Sequence, residues 1–270
     1  MNPVVVRGIR IGEGTPKICV PIVGQTKEEI LEAAQNIRNT AVDVVEWRAD
    51  WFDGVFDQEQ VLDALTGLRE ALGDIPLLFT FRTAKEGGEK EISAELYQKL
   101  NLEAAKSGLV DLVDVELFIG IPEETLQAAN ESETKNSVAA DLIQALHGCG
   151  VRVIASNHDF VKTPEREEIL RRLRKMQELG ADIPKIAVMP QSKQDVLTLL
   201  SATEEMASQY ADRPIITMSM AKDGVISRLC GEIFGSALTF GAVGKTSAPG
   251  QVSVEDLKQI LQLLHKVAGV

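Results

Sequence analysis

Eight apolar runs rich in β-branched residues recur along this chain of 270 residues with amphipathic stretches between them, and that alternation is the strongest constraint on its fold. The runs occupy 17–24, 42–50, 76–83, 109–118, 151–160, 183–190, 213–220 and 237–243. Helical spacing fills 26–40, 58–72, 93–107, 163–179, 193–210, 223–234 and 254–268. Thr26, Thr163 and Ser192 stand where helix caps belong. A strand, helix, strand succession demands parallel pairing through right-handed crossovers, and eight units in about 250 residues fit an α/β fold of the (β/α)8 TIM-barrel kind. A doubly wound open sheet is the alternative that the alternation leaves open. Residues 4–11 read as a short β-hairpin turning at Gly8, placed to close the barrel bottom. No linker or shift of composition divides the chain, so 1–270 reads as a single (β/α)8 barrel domain. The polar, weakly periodic segment 120–137 reads as a surface excursion.

Charge narrows the partners. With 40 acidic and 28 basic residues the chain carries a net charge of −12, which opposes binding to nucleic acid or to an anionic membrane. No apolar run approaches the roughly 18 to 20 residues that span a bilayer. The first ten residues lack the apolar core of a secretion signal, so the expectation is a cytoplasmic protein. Cys19, Cys149 and Cys230 are too far apart and too few for a disulfide framework or a zinc site, and read as reduced thiols.

In a barrel the reactive side chains collect at the C-terminal ends of the strands, and here those ends are polar. The second run closes with Glu46 and Arg48, the third with Arg82 followed by Glu86, the fifth with His158, and the seventh with Met218 and Met220. Lys185 interrupts the apolar sixth run. Taking an ammonium out of water favours the neutral amine, which can attack a carbonyl, and an imidazole on the preceding strand can move protons for it. The bland alternative puts Lys185, next to Pro184, at an exposed strand end. Glu46 and Arg48 share a strand face and could form a structural ion pair. Arg48 and Arg82 could instead supply positive field near Lys185 and draw an anionic, hydroxyl-rich substrate. Arg228, one or two turns into the helix after the seventh run, could clamp a carboxylate. The small-residue loop 241–251 could close over a ligand, while Lys245, Thr246 and Ser247 do not complete a nucleotide-binding loop. His147 and His265 read as structural or solvated, and Met218 and Met220 as core residues or as packing over a substrate ring.

These segments together resemble the type I 3-dehydroquinate dehydratases. The resemblance rests on Glu46-Trp-Arg-Ala-Asp50, Phe79-Thr-Phe-Arg-Thr83 with Glu86, Ser156-Asn-His-Asp-Phe160, Lys185-Ile-Ala-Val-Met-Pro190, Ile216-Thr-Met-Ser-Met220, Ile226-Ser-Arg228 and Ser247-Ala-Pro-Gly-Gln251. It implies a (β/α)8 barrel, commonly a homodimer, that dehydrates 3-dehydroquinate in the shikimate pathway without metal or other cofactor. It implies an imine on Lys185, proton transfers by His158, and Glu86 orienting that histidine. Arg228, Ser247 and Gln251 match carboxylate and lid contacts, and Glu46, Arg48 and Arg82 match positions around the ring hydroxyls. The stretch from Phe118 to Ser156 is longer than the resemblance leads one to expect. A class I aldolase, which shares barrel and imine, and a non-catalytic barrel binding a hydroxy acid are the rival readings. The carboxylate-matching Arg228 disfavours the first, and the joint presence of Lys185 and His158 the second.

Overall fold

The computed structural model describes residues 2–38, 40–121, 137–243 and 252–269. Strands β1 (Val4–Val6) and β2 (Ile9–Ile11) pair antiparallel with Val6 opposite Ile9. The two residues between them, Arg7 at φ 44° and Gly8 at φ 83°, are both left-handed, as a two-residue type I′ hairpin requires. Asp111 accepts from Arg7 Nε at 2.7 Å and ties this turn to the loop before the sixth strand.

The remaining chain alternates: β3 (Lys17–Ile22), α1 (Lys27–Ile37), β4 (Val44–Arg48), α2 (Gln58–Leu72), β5 (Leu77–Thr80), α3 (Ala94–Lys106), β6 (Leu112–Glu116), α4 (Val138–Gly148), β7 (Arg152–Asp159) and α5 (Arg166–Glu178). It continues with β8 (Ile183–Val188), α6 (Lys193–Glu205), β9 (Ile216–Ser219), the short α7 (Val225–Leu229) and α8 (Gly231–Phe234), β10 (Leu238–Ala242), β11 (Val252–Ser253) and α9 (Val254–Ala268). Strands β3 to β9 pair in chain order and in parallel, and β10 returns to pair with β3. A parallel bridge between Ile215 and Ser236 joins the β9 side to the β10 side, so the sheet is a closed barrel and not an open doubly wound one.

Two apolar layers hold it. The larger lies between strands and helices, and the smaller fills the barrel's lower interior, where Val4, Val6 and Ile11 of the hairpin pack with Val44, Leu78, Leu112, Ile154, Ile183 and Ile216. The hairpin therefore closes the N-terminal mouth. Register follows from the outer layer: Trp47 is fully buried there against Phe52 and Phe79. Burying a side chain of that size contributes roughly 1.5–3 kcal/mol. A slip of one residue would expel Trp47 and drive Glu46 and Arg48 into the apolar helix layer.

Three local differences from the sequence reading have physical causes. Helix α4 was hidden because its apolar face, Ala139, Leu142, Ile143 and Leu146, begins immediately after the polar segment. Its cap is Ser137, whose hydroxyl accepts from Ala140 N–H at 3.3 Å. Thr163 caps nothing: α5 starts after Glu165, and the Thr163 hydroxyl donates to the Met189 carbonyl at 3.1 Å. The helical stretch expected to reach Tyr210 is α-helical only to Glu205, after which 206–210 widen into a π turn. The expected excursion at 120–137 lies, for 122–136, outside the described residues.

Candidate active site

Side chains alternate along a strand, so each strand presents every second residue to the barrel interior. In β5 to β9 the first inward residues are the apolar Leu78, Leu112, Ile154, Ile183 and Ile216. One storey higher, the alternation brings Thr80, Asp114, Ser156, Lys185 and Met218, and above those Arg82, Glu116, His158, Ala187 and Met220. The floor is apolar and the upper storeys carry the chemistry.

Lys185 belongs to the first polar storey and is 3% exposed, so it does not sit at an exposed strand end. Its Nζ donates to Asp114 Oδ2 at 3.2 Å and lies 4.8 Å from the centroid of the Phe240 ring. Asp114 also accepts from Ser156 Oγ at 2.6 Å and from Arg82 at 2.8 Å. Burial works against the Asp114 charge, but Arg82, Lys185 and the Ser156 hydroxyl together hold its carboxyl below the usual range.

The β7 and β8 register pairs Ser156 with Lys185 and His158 with Ala187, which puts the imidazole one storey above the amine on the adjacent strand. Glu86 ends a 3-10 turn, Ala84–Glu86, just beyond β5. Its Oε2 accepts the His158 backbone N–H at 2.8 Å and faces His158 Nδ1 at 2.9 Å. When ionised, Glu86 can only accept, and that state puts the proton on Nδ1 and leaves the lone pair of a base on Nε2. Burial, followed by Arg82, Lys185 and Arg48, holds the imidazole well below its usual value. Burial, followed by Glu116, pushes the Glu86 carboxyl well above its own, against the pull of Arg82, Asn157 and the His158 N–H.

The arginines differ in what they have free. Arg82 is committed to Glu116 at 3.0 Å, Ser156 at 3.0 Å and Asp114 at 2.8 Å. Arg48 forks onto Asp50 with both bonds at 2.8 Å, so the ion pair between Glu46 and Arg48 does not form. Glu46 accepts instead from Thr80 Oγ1 at 2.9 Å. Arg228, carried by α7, is 2% exposed and has no acid partner among the described residues. Its NH1 lies 3.5 Å from Met218 Sδ, its Nε has no partner, and burial lowers its pKa to about 10. An unpaired guanidinium out of water is costly unless an anion joins it.

Lys185, His158, Glu86, Glu46, Arg48, Arg82, Met218, Met220 and Arg228 all line one cavity of about 230 Å³. Ser247 and Gln251 lie outside the described residues. The sequence places Asp114 and the Ser156–Phe160 segment at polar strand ends but gives no site role to Phe160, Asp114, Ser156 or Asn157, and it misses Phe240 in the wall. A signal for Asp114 exists: it shares a strand face with Glu116, two acids where an apolar pair is expected. Phe160 lies over Gly87, whose φ is 81° and where a Cβ would stand 2.3 Å from the ring. His147 pairs with Asp182 at 2.8 Å and His265 with Glu232 at 2.6 Å, both away from the cavity. Among the described residues no group of three or more His, Cys, Asp or Glu could hold a metal ion.

Comparison with known proteins adds to this geometry. The family model described as type I 3-dehydroquinase matches residues 18–268. A 3-dehydroquinate dehydratase of Salmonella agona is 56% identical over 266 residues, covering 98% of this chain and all of that protein. One of Clostridioides difficile is 55% identical over 261 residues, 97% of this chain and 96% of the relative. Among solved structures, the type I 3-dehydroquinate dehydratase from Clostridium difficile with covalent modified comenic acid superposes with a TM-score of 0.90 at 54% identity, covering 99% of this chain and 100% of that one. The 3-dehydroquinate dehydratase from Geobacillus kaustophilus gives a TM-score of 0.88 at 39% identity over 98% and 99% of the two chains.

Proposed function

The chain belongs to the type I 3-dehydroquinase family, and from that premise we propose that it dehydrates 3-dehydroquinate to 3-dehydroshikimate through an imine on Lys185. The observation that carries the assignment of roles is the shared cavity: amine and imidazole occupy successive storeys of adjacent strands, and a buried guanidinium with no acid partner among the described residues stands in the same wall.

Lys185 first passes a proton to Nε2 of His158, and its amine adds to the C3 carbonyl; the imidazole returns the proton to the carbinolamine oxygen, which leaves as water, and the protonated imine remains. The imine draws electrons from C2, and Nε2 of His158 removes the C2 proton. The resulting enamine expels the C1 hydroxyl, which takes a proton from the same imidazole and departs as water. Water then adds to the imine carbon, the carbon–nitrogen bond breaks, and Lys185 is returned with 3-dehydroshikimate released. Glu86 holds Nδ1 protonated throughout, so that Nε2 is the nitrogen that exchanges protons. Arg228 takes the substrate carboxylate, which gives its buried guanidinium an acid partner it has nowhere among the described residues. Glu46, Arg48 and Arg82 stand around the ring hydroxyls, Met218 and Met220 pack on the ring, and the resemblance assigns carboxylate and lid contacts to Ser247 and Gln251, which lie outside the described residues. A solved relative with covalent modified comenic acid supports a nucleophile in this architecture.

On the resemblance, the enzyme works as a cytoplasmic homodimer in the shikimate pathway towards aromatic amino acids. No described helix is long and apolar enough to cross a membrane. Mixing the protein with 3-dehydroquinate and following the ultraviolet absorbance of the conjugated enone tests the activity. A growing absorbance supports the reading, and cleavage of a carbon–carbon bond in its place would point to an aldolase.

A further inference from the structure

Asn157 lies between Ser156 and His158 on β7, so its side chain leaves the strand on the face opposite theirs, towards helix α5. There Arg172 NH1 donates to Asn157 Oδ1 at 2.8 Å. Asn157 Nδ2 in turn donates to Glu86 Oε1 at 3.2 Å, on the oxygen that His158 leaves free. The amide has only one orientation that satisfies both neighbours, because a guanidinium has no acceptor and an ionised carboxylate has no donor. Arg172 is itself held in place. Its Nε donates to Glu168 at 2.6 Å, its guanidinium lies 5.5 Å from the Phe118 ring centroid, and Glu168 is also gripped by Arg171.

We propose that Asn157 is a positioning residue for the dehydration: Arg172 fixes its amide so that the NH2 group is aimed at Glu86, and Glu86, so anchored, holds His158 in its working tautomer. The chain of contacts runs from the outer helix layer, Glu168 and Arg172, through the barrel wall at Asn157, to the inner face at Glu86 and His158. Its role is to keep the Glu86 carboxylate charged in a buried setting that disfavours charge. Without the amide donor, Glu86 accepts a proton more readily and no longer compels Nδ1 to be the donor. This inference rests on the assignment of His158 as the proton carrier.

The test follows the Glu86–His158 pair as a single titrating unit. Other charged groups facing the pair are Arg48 from β4, Arg82 beyond β5, Glu116 and Asp114 from β6, and Lys185 from β8, and all are left unaltered. The full-length protein is prepared as wild type, Asn157→Ala, Asn157→Asp and Arg172→Met. Two readouts are taken across pH: kcat/KM with 3-dehydroquinate, and the imidazole proton resonances of His158, identified by their loss in His158→Gln. In Asn157→Ala the midpoint of proton uptake by the pair moves up by about one pH unit, the scale of one lost hydrogen bond to a charged group. Asn157→Asp, which sets a second carboxylate beside Glu86, moves it further. Arg172→Met, which frees the amide to turn, moves it less but in the same direction. Midpoints unchanged in both Asn157 variants, with folding intact by circular dichroism, would overturn the relay even if turnover falls at every pH. Should the wild type fail to dehydrate 3-dehydroquinate, the functional reading falls separately, and the resonances alone decide whether Asn157 governs the pair.

Discussion

Lys185 Nζ and Asp114 Oδ2 lie 3.2 Å apart on facing strand surfaces, so the candidate nucleophile is held at rest by a fully buried carboxylate. Asp114 serves three cationic or hydroxyl partners at once, which makes it the centre of the polar storey. The Asp114→Asn variant removes a charge that Arg82 and Lys185 both need. Breaking a buried pair on one side costs about 3–5 kcal/mol. Urea unfolding at neutral pH is expected to show a loss of that order, together with loss of turnover. The sign of the pH effect follows from the depressed carboxyl: its contribution is present above the unfolded value near 3.8 and is lost as pH falls through the folded one.

His158→Ala separates proton transfer from imine formation. General acid–base help contributes roughly 10²- to 10⁴-fold, so kcat is expected to fall by that factor. Borohydride with 3-dehydroquinate should still attach some label to the variant. Unchanged turnover would show that the proton carrier lies elsewhere.

The imidazole is expected to remain neutral below its ordinary value of 6.5. Since the unfolded chain binds the proton first as pH falls, His158 makes stability rise with pH through that window, and acidification removes it. His158→Gln should therefore lose less stability than wild type between about pH 7 and about pH 5. The acid limb of kcat/KM for the wild type should have its midpoint below 6.5, measured by steady-state assays across pH.

Arg228→Met tests the carboxylate contact. Hydrogen bonds to charged groups are worth about 1.5–3 kcal/mol, so KM should rise roughly 10- to 150-fold. Because this guanidinium is buried with no acid partner among the described residues, the same variant should unfold at an equal or higher temperature. A large fall in the unfolding temperature would show that Arg228 serves the fold and not the substrate.

Much of this site was legible in the chain because charge in an apolar strand is conspicuous. Lys185, His158, Glu46 and Arg82 all stand at inward positions that composition alone would fill with valine or isoleucine. The barrel followed from the strand and helix succession, and the hairpin from Gly8. What one strand cannot show is its neighbour's register. That Asp114 faces Lys185 across β7, or that Arg48 turns to Asp50 and away from Glu46, depends on how far adjacent strands are staggered. Asn157 was hidden for a further reason: its partners come from a helix and a loop distant in sequence, and an amide between two polar residues carries no signal of its own. Helix α4 lost its signal to the polar stretch that precedes it.

The central claim is that Lys185 is the group that becomes covalently joined to substrate, and borohydride reduction during turnover tests it directly. Protein incubated with 3-dehydroquinate and borohydride is digested, and the peptides are read by mass. The account predicts a single adduct on the peptide carrying Lys185, absent from Lys185→Ala. A Lys185 peptide that stays unmodified while 3-dehydroshikimate accumulates would contradict it.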